Sequence, residues 1–316
     1  MLVYFLDVVH HRKMNADNES PHGLAGAPRS GGAKWGQERR LEFIDFRLRW
    51  DGRFNRSDLT GFFGISIPQA SLDIAEYTRR APGNLDYDRT GRLYVAGPVF
   101  RPLFESSSLE HYLDDLLRAS EGAEVPYGSF LGWHPPVAYA TPPSRRISAD
   151  VVIAVVRAIR DSLSLTLRYQ SFSSIEPTVR LLSPHALVHD GFRWHMRAYC
   201  HSRRQYRDFL LSRVVEIQQV EPVDPLITED VEWETMVKVV IAAHPDLAEA
   251  HRRMIELDYG MQNGVCAFEC RQPLLFYVLQ QLRLDEEESS RSPEAQQIVL
   301  ANRADLIAHL PKSKFR

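Results

Sequence analysis

From Leu163 onward the apolar residues of this chain change their period. Leu163, Leu165, Leu167 and Tyr169 alternate with Ser164, Thr166 and Arg168, the repeat of a strand with one buried face. Immediately upstream, residues 147–160 carry Val152, Val155, Val156 and Ile159 at helical spacing, with Ser148 placed as the cap. Further strands are predicted at 179–187, 193–200, 207–211 and 214–220, and His189-Asp190-Gly191 forms a turn between two of them. Four or five short strands within about 60 residues, entered from one helix, predict a small, strongly bent antiparallel barrel. A barrel of that size uses a fraction of a 316-residue chain, so two domains, or three small ones, are expected.

The N-terminal third reads differently. Residues 1–37 place Pro21, Gly23, Gly26, Pro28, Gly31 and Gly32 close together, the composition of a disordered tail, and Met14 offers an alternative start. A helix at 39–50 carries Leu41, Ile44, Phe46 and Leu48 and stops at Asp51-Gly52; a second, at 57–63, has Ser57 as cap and Gly64 at its end. A third opens at Ser66-Ile67-Pro68-Gln69, a capping box with proline in the first turn, and runs to about Arg80. After the Pro82-Gly83 break, residues 85–94 form two short strands around a turn. Three helices and a hairpin over 38–104 make a winged helix-turn-helix. A helix at 109–119 and a proline-rich stretch (Pro126, Pro135, Pro136, Pro142, Pro143) make 105–146 a linker or dimerisation segment. The barrel domain takes 147–222. Residues 223–316, with a helix at 246–257, a strand at 265–271 and a helix at 273–282, form an α+β appendage; the acidic run from Asp285 to Glu288 is a solvated loop.

A winged helix places the first turn of its third helix in the major groove, where Ser66, Gln69 and Ser71 meet bases or phosphates. Gln69 has the geometry for bidentate pairing with adenine. Arg56, Arg79, and Arg89 and Arg92 on the wing are placed for the backbone or the minor groove. The alternative is a three-helix unit that docks a protein, with Ser66 and Gln69 serving only as a cap. Composition bears on the choice. A net charge of -3 excludes a protein that coats nucleic acid nonspecifically, yet all positive charge between Lys34 and Lys238 is arginine, the residue suited to bidentate phosphate and guanine contacts. A GC-rich genome produces the same bias.

In the row from Arg193 to Cys200, alternation sends Trp194, Met196 and Ala198 to one face and His195, Arg197 and Tyr199 to the other. The second face is either an anion site, joined by Arg213, or simply a polar outer surface. No enzyme signature is present: there is no phosphate-binding loop, Gly-x-Ser-x-Gly or His-Glu-x-x-His. Cys266 and Cys270 share one face of a strand and lack two further ligands, so they are expected in a core; neither metal nor cofactor is predicted. Three cysteines in all point to a reducing compartment, no run approaches the roughly 20 apolar residues of a membrane span, and a cytoplasmic location is expected.

From about residue 38 to the C-terminus the sequence resembles the WYL-domain transcriptional regulators, and more narrowly the BrxR/CapW group found beside antiphage systems such as BREX and CBASS. The resemblance rests on Tyr169-Gln170-Ser171, Ser183-Pro184-His185, the row Arg193 to Tyr199, Arg207 to Arg213, and Asp258-Tyr259-Gly260-Met261. It implies an α+β multidomain chain: a winged helix-turn-helix, a WYL domain of Sm-like or SH3-like barrel type, and a C-terminal WCX-type dimerisation domain. It implies a homodimeric repressor of a defence operon on palindromic double-stranded DNA, answering a nucleotide or nucleic-acid effector in a pocket of Tyr169, Ser171, His185, His195, Arg197 and Arg213. Trp194-His195-Met196 stands where the motif that names the domain has Trp-Tyr-Leu. The competing expectation is an RNA- or nucleotide-binding module whose helical N-terminus docks a protein partner.

Overall fold

The computed structural model describes residues 30–120, 128–140, 143, 145–222, 229–285 and 291–310. Most of the predicted tail, the acidic run beyond Asp285 and part of the proline-rich stretch lie outside the described residues. The chain divides into two compact units at about residue 142.

The first unit is built on a long helix, α1 (Ser30–Trp50), which therefore begins inside the segment expected to be tail. Its stretch from Leu41 to Leu48 is buried on most sides, through Leu41, Phe43, Ile44, Phe46 and Leu48, so packing rather than amphipathic patterning holds it. A short strand β1 (Arg53–Phe54) leads to α2 (Arg56–Phe63). Its cap is Asn55 rather than Ser57, the Asn55 backbone N–H donating to Asp58 Oδ2 at 2.7 Å. Gly64 ends the helix at φ 63°, a left-handed conformation that glycine adopts without cost from a Cβ. α3 (Ile67–Arg80) follows, capped by the Ser66 hydroxyl, which accepts from the Gln69 N–H at 3.4 Å. Only this half of the expected capping box forms, because the Gln69 side chain turns to Asp73 instead. β2 (Leu85–Asp88) and β3 (Leu93–Ala96) are the wing, and β1 adds to them in the order β1-β3-β2. The unit does not end at 104: α4 (Leu109–Ser120) follows, Tyr112 stacks on Trp50 at 4.1 Å, and Phe130 meets Phe43, Phe46 and Phe62 in the core. Aromatic side chains from the expected linker thus complete the core of the winged helix.

The second unit opens with α5 (Ala149–Arg160), then β4 (Leu163–Tyr169), β5 (Thr178–His189), β6 (Trp194–Cys200), β7 (Gln205–Leu210) and β8 (Val214–Pro222). All five strands are antiparallel in the order β7-β6-β5-β4-β8. The sheet has two edges, so the closed barrel of the sequence reading is corrected to an open, bulged sheet. Its bulges lie in the β4–β8 pairing and beside His185, in the β5–β6 pairing, where an extra residue bends the strand. One face packs against α5 through Val151, Val155 and Ala158, which meet Leu165, Leu167, Leu182, Met196 and Ala198. Trp194, expected on this core face, is instead exposed at the start of β6 with its ring against His189.

A four-residue helix α6 (Val231–Glu234) leads into the third layer: β9 (Met236–Ala243), α7 (Glu249–Asp258), β10 (Val265–Arg271), α8 (Leu275–Gln281), α9 (Pro293–Gln296), β11 (Ile298–Leu300) and α10 (Arg303–Leu306). The sheet order is β10-β9-β11, and Val239, Ile241, Ile255, Leu275, Leu279, Ile298 and Leu300 form the core. Cys266 and Cys270 pack against that core, and burial pushes the Cys270 thiol up to about 11.

Candidate DNA-reading face and candidate ligand pocket

Two buried carboxylates fix the third helix on the first. Asp73 accepts from Arg40 Nε at 2.6 Å and Nη2 at 3.2 Å, from Gln37 at 3.3 Å and from Gln69 at 3.1 Å. Asp45 accepts from the Tyr77 hydroxyl, from the Leu103 and Phe104 N–H groups and from the Ser107 hydroxyl. Burial and the neighbouring Asp45 push the Tyr77 hydroxyl far above the ordinary tyrosine range. With Ala70, Asp73, Ile74 and Tyr77 turned inward, helical periodicity sends Pro68, Leu72, Ala75 and Arg79 to the opposite side.

The predicted DNA contacts divide accordingly. Ser66 is the cap, and Gln69 is tied to Asp73 on the flank of the helix. Ser71 donates its hydroxyl to the Ile67 carbonyl at 2.9 Å. Arg79 pairs with Glu76, whose carboxyl the Arg79 and Arg80 guanidiniums hold at about 2. Arg56 donates to the Tyr94 hydroxyl at 2.8 Å. Arg89 and Arg92 are exposed on the turn between β2 and β3, where Arg92 has φ 54°, and neither makes an ion pair among the described residues.

The six predicted ligand residues do not share one pocket. Directly paired residues of antiparallel strands point to the same face. Arg197 pairs with Asp208 across β6 and β7, on the face away from α5. There its guanidinium is buried, with Nε 2.7 Å and Nη2 3.0 Å from Asp230, Nη2 2.7 Å from Glu232 and Nη1 3.4 Å from Asp208. Burial opposes its charge, but these carboxylates overcome that and raise its pKa. His185 Nε2 lies 2.9 Å from Asp230 and His195 Nε2 lies 2.9 Å from Asp190. Burial lowers the pKa of His195, against the pull of Asp190. Asp190 is itself buried, which would raise it, yet hydrogen bonds from His195, the Phe192 N–H and Arg193 bring it down to about 2. Asp208, which also accepts from Tyr277 at 3.2 Å, is pushed up by burial despite Arg197 beside it. On this face the donors of Arg197 are therefore taken up by the chain's own carboxylates.

Tyr169 and Ser171 belong to the other face. The Tyr169 hydroxyl accepts from the Leu210 N–H at 3.0 Å, and its ring stands edge-on to Phe209. Arg180 pairs with Leu167, and Arg207 with Ala198, which puts both arginines on the side of Tyr169. With Arg203, Ser171, Cys200 and the carboxylate-bearing Asp208, whose side chain is held by Arg197 and Tyr277, they line a cleft of about 150 Å³. None of Arg180, Arg203 and Arg207 makes an ion pair among the described residues, and Arg180 Nε is buried without a hydrogen-bond partner. Arg213 lies near Tyr169, its guanidinium 4.9 Å from the Phe172 ring centre. The volume falls below the roughly 300 Å³ at which drug-sized ligand pockets begin; it suits one phosphate-sized group. A larger cleft of about 350 Å³ lies between the Asp190–Arg193 turn and α8, but Arg193 there is already paired with Asp190. The three arginines went unpredicted as a set because Arg180 lies in β5, remote in sequence from Arg203 and Arg207 of the β6–β7 hairpin, and the strand register brings the two stretches together.

A winged helix-turn-helix followed by an α5-covered sheet domain and an α+β domain is the plan of a DNA-binding transcriptional regulator. Three family models match in that order: "BrxR transcriptional regulator winged helix-turn-helix domain" over residues 36–118, "WYL domain" over 150–219, and "BrxR transcriptional regulator, C-terminal dimerization domain" over 236–306. The chain is 52% identical over 279 residues to the "DNA-binding transcriptional repressor CapW" of Escherichia coli (strain KTE188), covering 88% of this chain and 93% of that protein. It is 52% identical over 275 residues to the CapW of Pseudomonas aeruginosa, covering 87% and 92%. With the CapW of Stenotrophomonas maltophilia the identity is 46% over 272 residues, covering 85% and 90%. The chain belongs to this family of CapW transcriptional repressors, as the resemblance implied. Among the described residues no helix is long and apolar enough to cross a membrane.

Proposed function

We propose that the chain is a cytoplasmic, non-catalytic homodimer that binds a palindromic operator and represses an antiphage defence operon of BREX or CBASS type, and that a phosphate-bearing nucleotide or nucleic-acid effector on its WYL domain alters that binding. The observation that carries the effector half is the convergence of Arg180, Arg203 and Arg207, without carboxylate partners, beside Ser171 and Tyr169. Unpaired guanidiniums in a partly enclosed cleft favour a bidentate oxyanion ligand. The DNA half draws support from the exposed face of α3, from Arg89 and Arg92 exposed on the wing, and from the names of the relatives. The dimer draws support from the match of residues 236–306 to a dimerization domain.

An effector shifts the repressor only if it binds the DNA-competent and DNA-incompetent states with different affinity. The test is fluorescence anisotropy with duplex DNA from the upstream region and a scrambled duplex at two salt concentrations, followed by addition of short single-stranded oligonucleotides and mononucleotides. Selective binding that survives the higher salt, and that phosphorylated additives reduce, is the expected result. Loss of both duplexes alike with salt would leave only phosphate attraction and overturn the repressor reading.

A further inference from the structure

The exposed centre of α3 is apolar. Relative to the inward Ala70, Asp73, Ile74 and Tyr77, the opposite line of the helix is Pro68, Leu72, Ala75 and Arg79, spaced four, three and four residues apart. Leu72, on that line, is 64% exposed; Ile67 is 62% exposed at the opening residue of the helix, about 140° round the axis from Leu72. The polar side chains of the same helix are committed elsewhere: Gln69 to Asp73, Ser71 to the Ile67 carbonyl, Arg79 and Arg80 to Glu76. A hydrogen-bonding reader is therefore absent from the middle of the face, and its largest free group is the branched aliphatic side chain of Leu72.

We propose that this helix reads its operator through thymine, with Leu72 and Ile67 packed against thymine C5-methyl groups in the major groove. The methyl is the one apolar feature of the major-groove code. Arg89 and Arg92, exposed on the wing and free of ion pairs among the described residues, supply the phosphate contacts that favour DNA as the occupant of this face over an apolar protein surface. The proposal rests on the DNA-binding reading above and assigns specificity to side chains that a search for polar readers passes over.

The experiment begins with duplexes selected from random-sequence DNA by the purified full-length protein. The best duplex is then made with thymine and with deoxyuridine at each half-site; the exchange removes the methyl and leaves the base pairing intact. By the transfer free energy of one buried methyl group, each lost contact weakens binding about fourfold. The wild type is expected to bind the deoxyuridine duplex several-fold more weakly, and Leu72→Ala and Ile67→Ala to bind both forms with nearly equal affinity. Both positions are exposed, so the variants are expected to fold, and circular dichroism checks that. Equal wild-type affinity for the two duplexes, or a ratio unchanged in both variants, would overturn the proposal while leaving DNA binding standing. A Leu72→Ala protein that dissociates into monomers with its thymine preference intact would overturn it in favour of a second copy on this face. Enrichment of no sequence at all would overturn the DNA-binding reading together with it.

Discussion

Arg197 is a cation that water barely reaches, held by Asp230, Glu232 and Asp208. Its alternation with Met196 and Ala198 was legible from the row itself; its partners were not, because they stand 33, 35 and 11 residues away and only the folded register joins them. Removing it leaves Asp208 and Asp230 buried without their guanidinium, with Tyr277 and His185 as the remaining side-chain partners, so Arg197→Ala is expected to cost about 3 kcal/mol of stability, read from urea denaturation. A loss below about 1 kcal/mol would mean that the remaining partners suffice or that the acidic side chains swing into solvent. The arginines on the opposite face predict the reverse pattern. Arg180→Ala, Arg203→Ala and Arg207→Ala together are expected to leave the urea midpoint and operator affinity close to wild type while abolishing the response to a phosphorylated effector. Retention of the full response would place the effector elsewhere. Gln69 differs: its residue type suggested adenine recognition, but its side chain turns to Asp73, four residues on in the same helix, a carboxylate that Arg40 of α1 also holds.

The turn joining β5 to β6 is organised by one carboxylate. Asp190 accepts from the Phe192 and Arg193 N–H groups and from the Arg193 side chain, and lies beside His195. Because its pKa falls from 3.8 to about 2 on folding, its stabilisation of about 2 kcal/mol is complete above pH 4 and is lost between pH 4 and 2. His195 has a lowered folded pKa, so the unfolded chain takes up its proton first and stability declines as pH drops below about 6.5, by at most about 1.4 kcal/mol per pH unit. The urea midpoint is expected to be lower at pH 5.5 than at pH 7.5, and His195→Gln to flatten that difference; an unchanged pH dependence would exclude His195 as its source. On the wing, Arg89→Ala with Arg92→Ala is expected to weaken every duplex alike and to reduce the slope of log affinity against log salt by about 2. The elements most legible beforehand were those with one clear period, such as β4 and β10. β9 was missed because Val239, Val240 and Ile241 form a continuous apolar run that hides its alternation. The start of α1 was missed because Gly31 and Gly32 read as loop.

For the molecule as a whole, the three-part order could be read from composition and turn signals, but the extent of the first part could not, since Phe130 joins its core from beyond the α4 helix. A homodimer on a palindrome predicts two protomers per duplex, with half-site centres separated by about one helical turn or a multiple of it. Sedimentation of the complex with footprinting checks both; one protomer per operator would rule the arrangement out.

The grip of Asp230 and Glu232 on Arg197 also bears on how such regulators are recombined. A chimera that transplants the WYL domain by cutting after β8, at Pro222, would carry Arg197 into the recipient without Asp230 and Glu232. The portable cassette begins before α5 and extends past α6, to at least Glu234, and an exchange drawn to those limits keeps the buried charge and its acids as one inheritance.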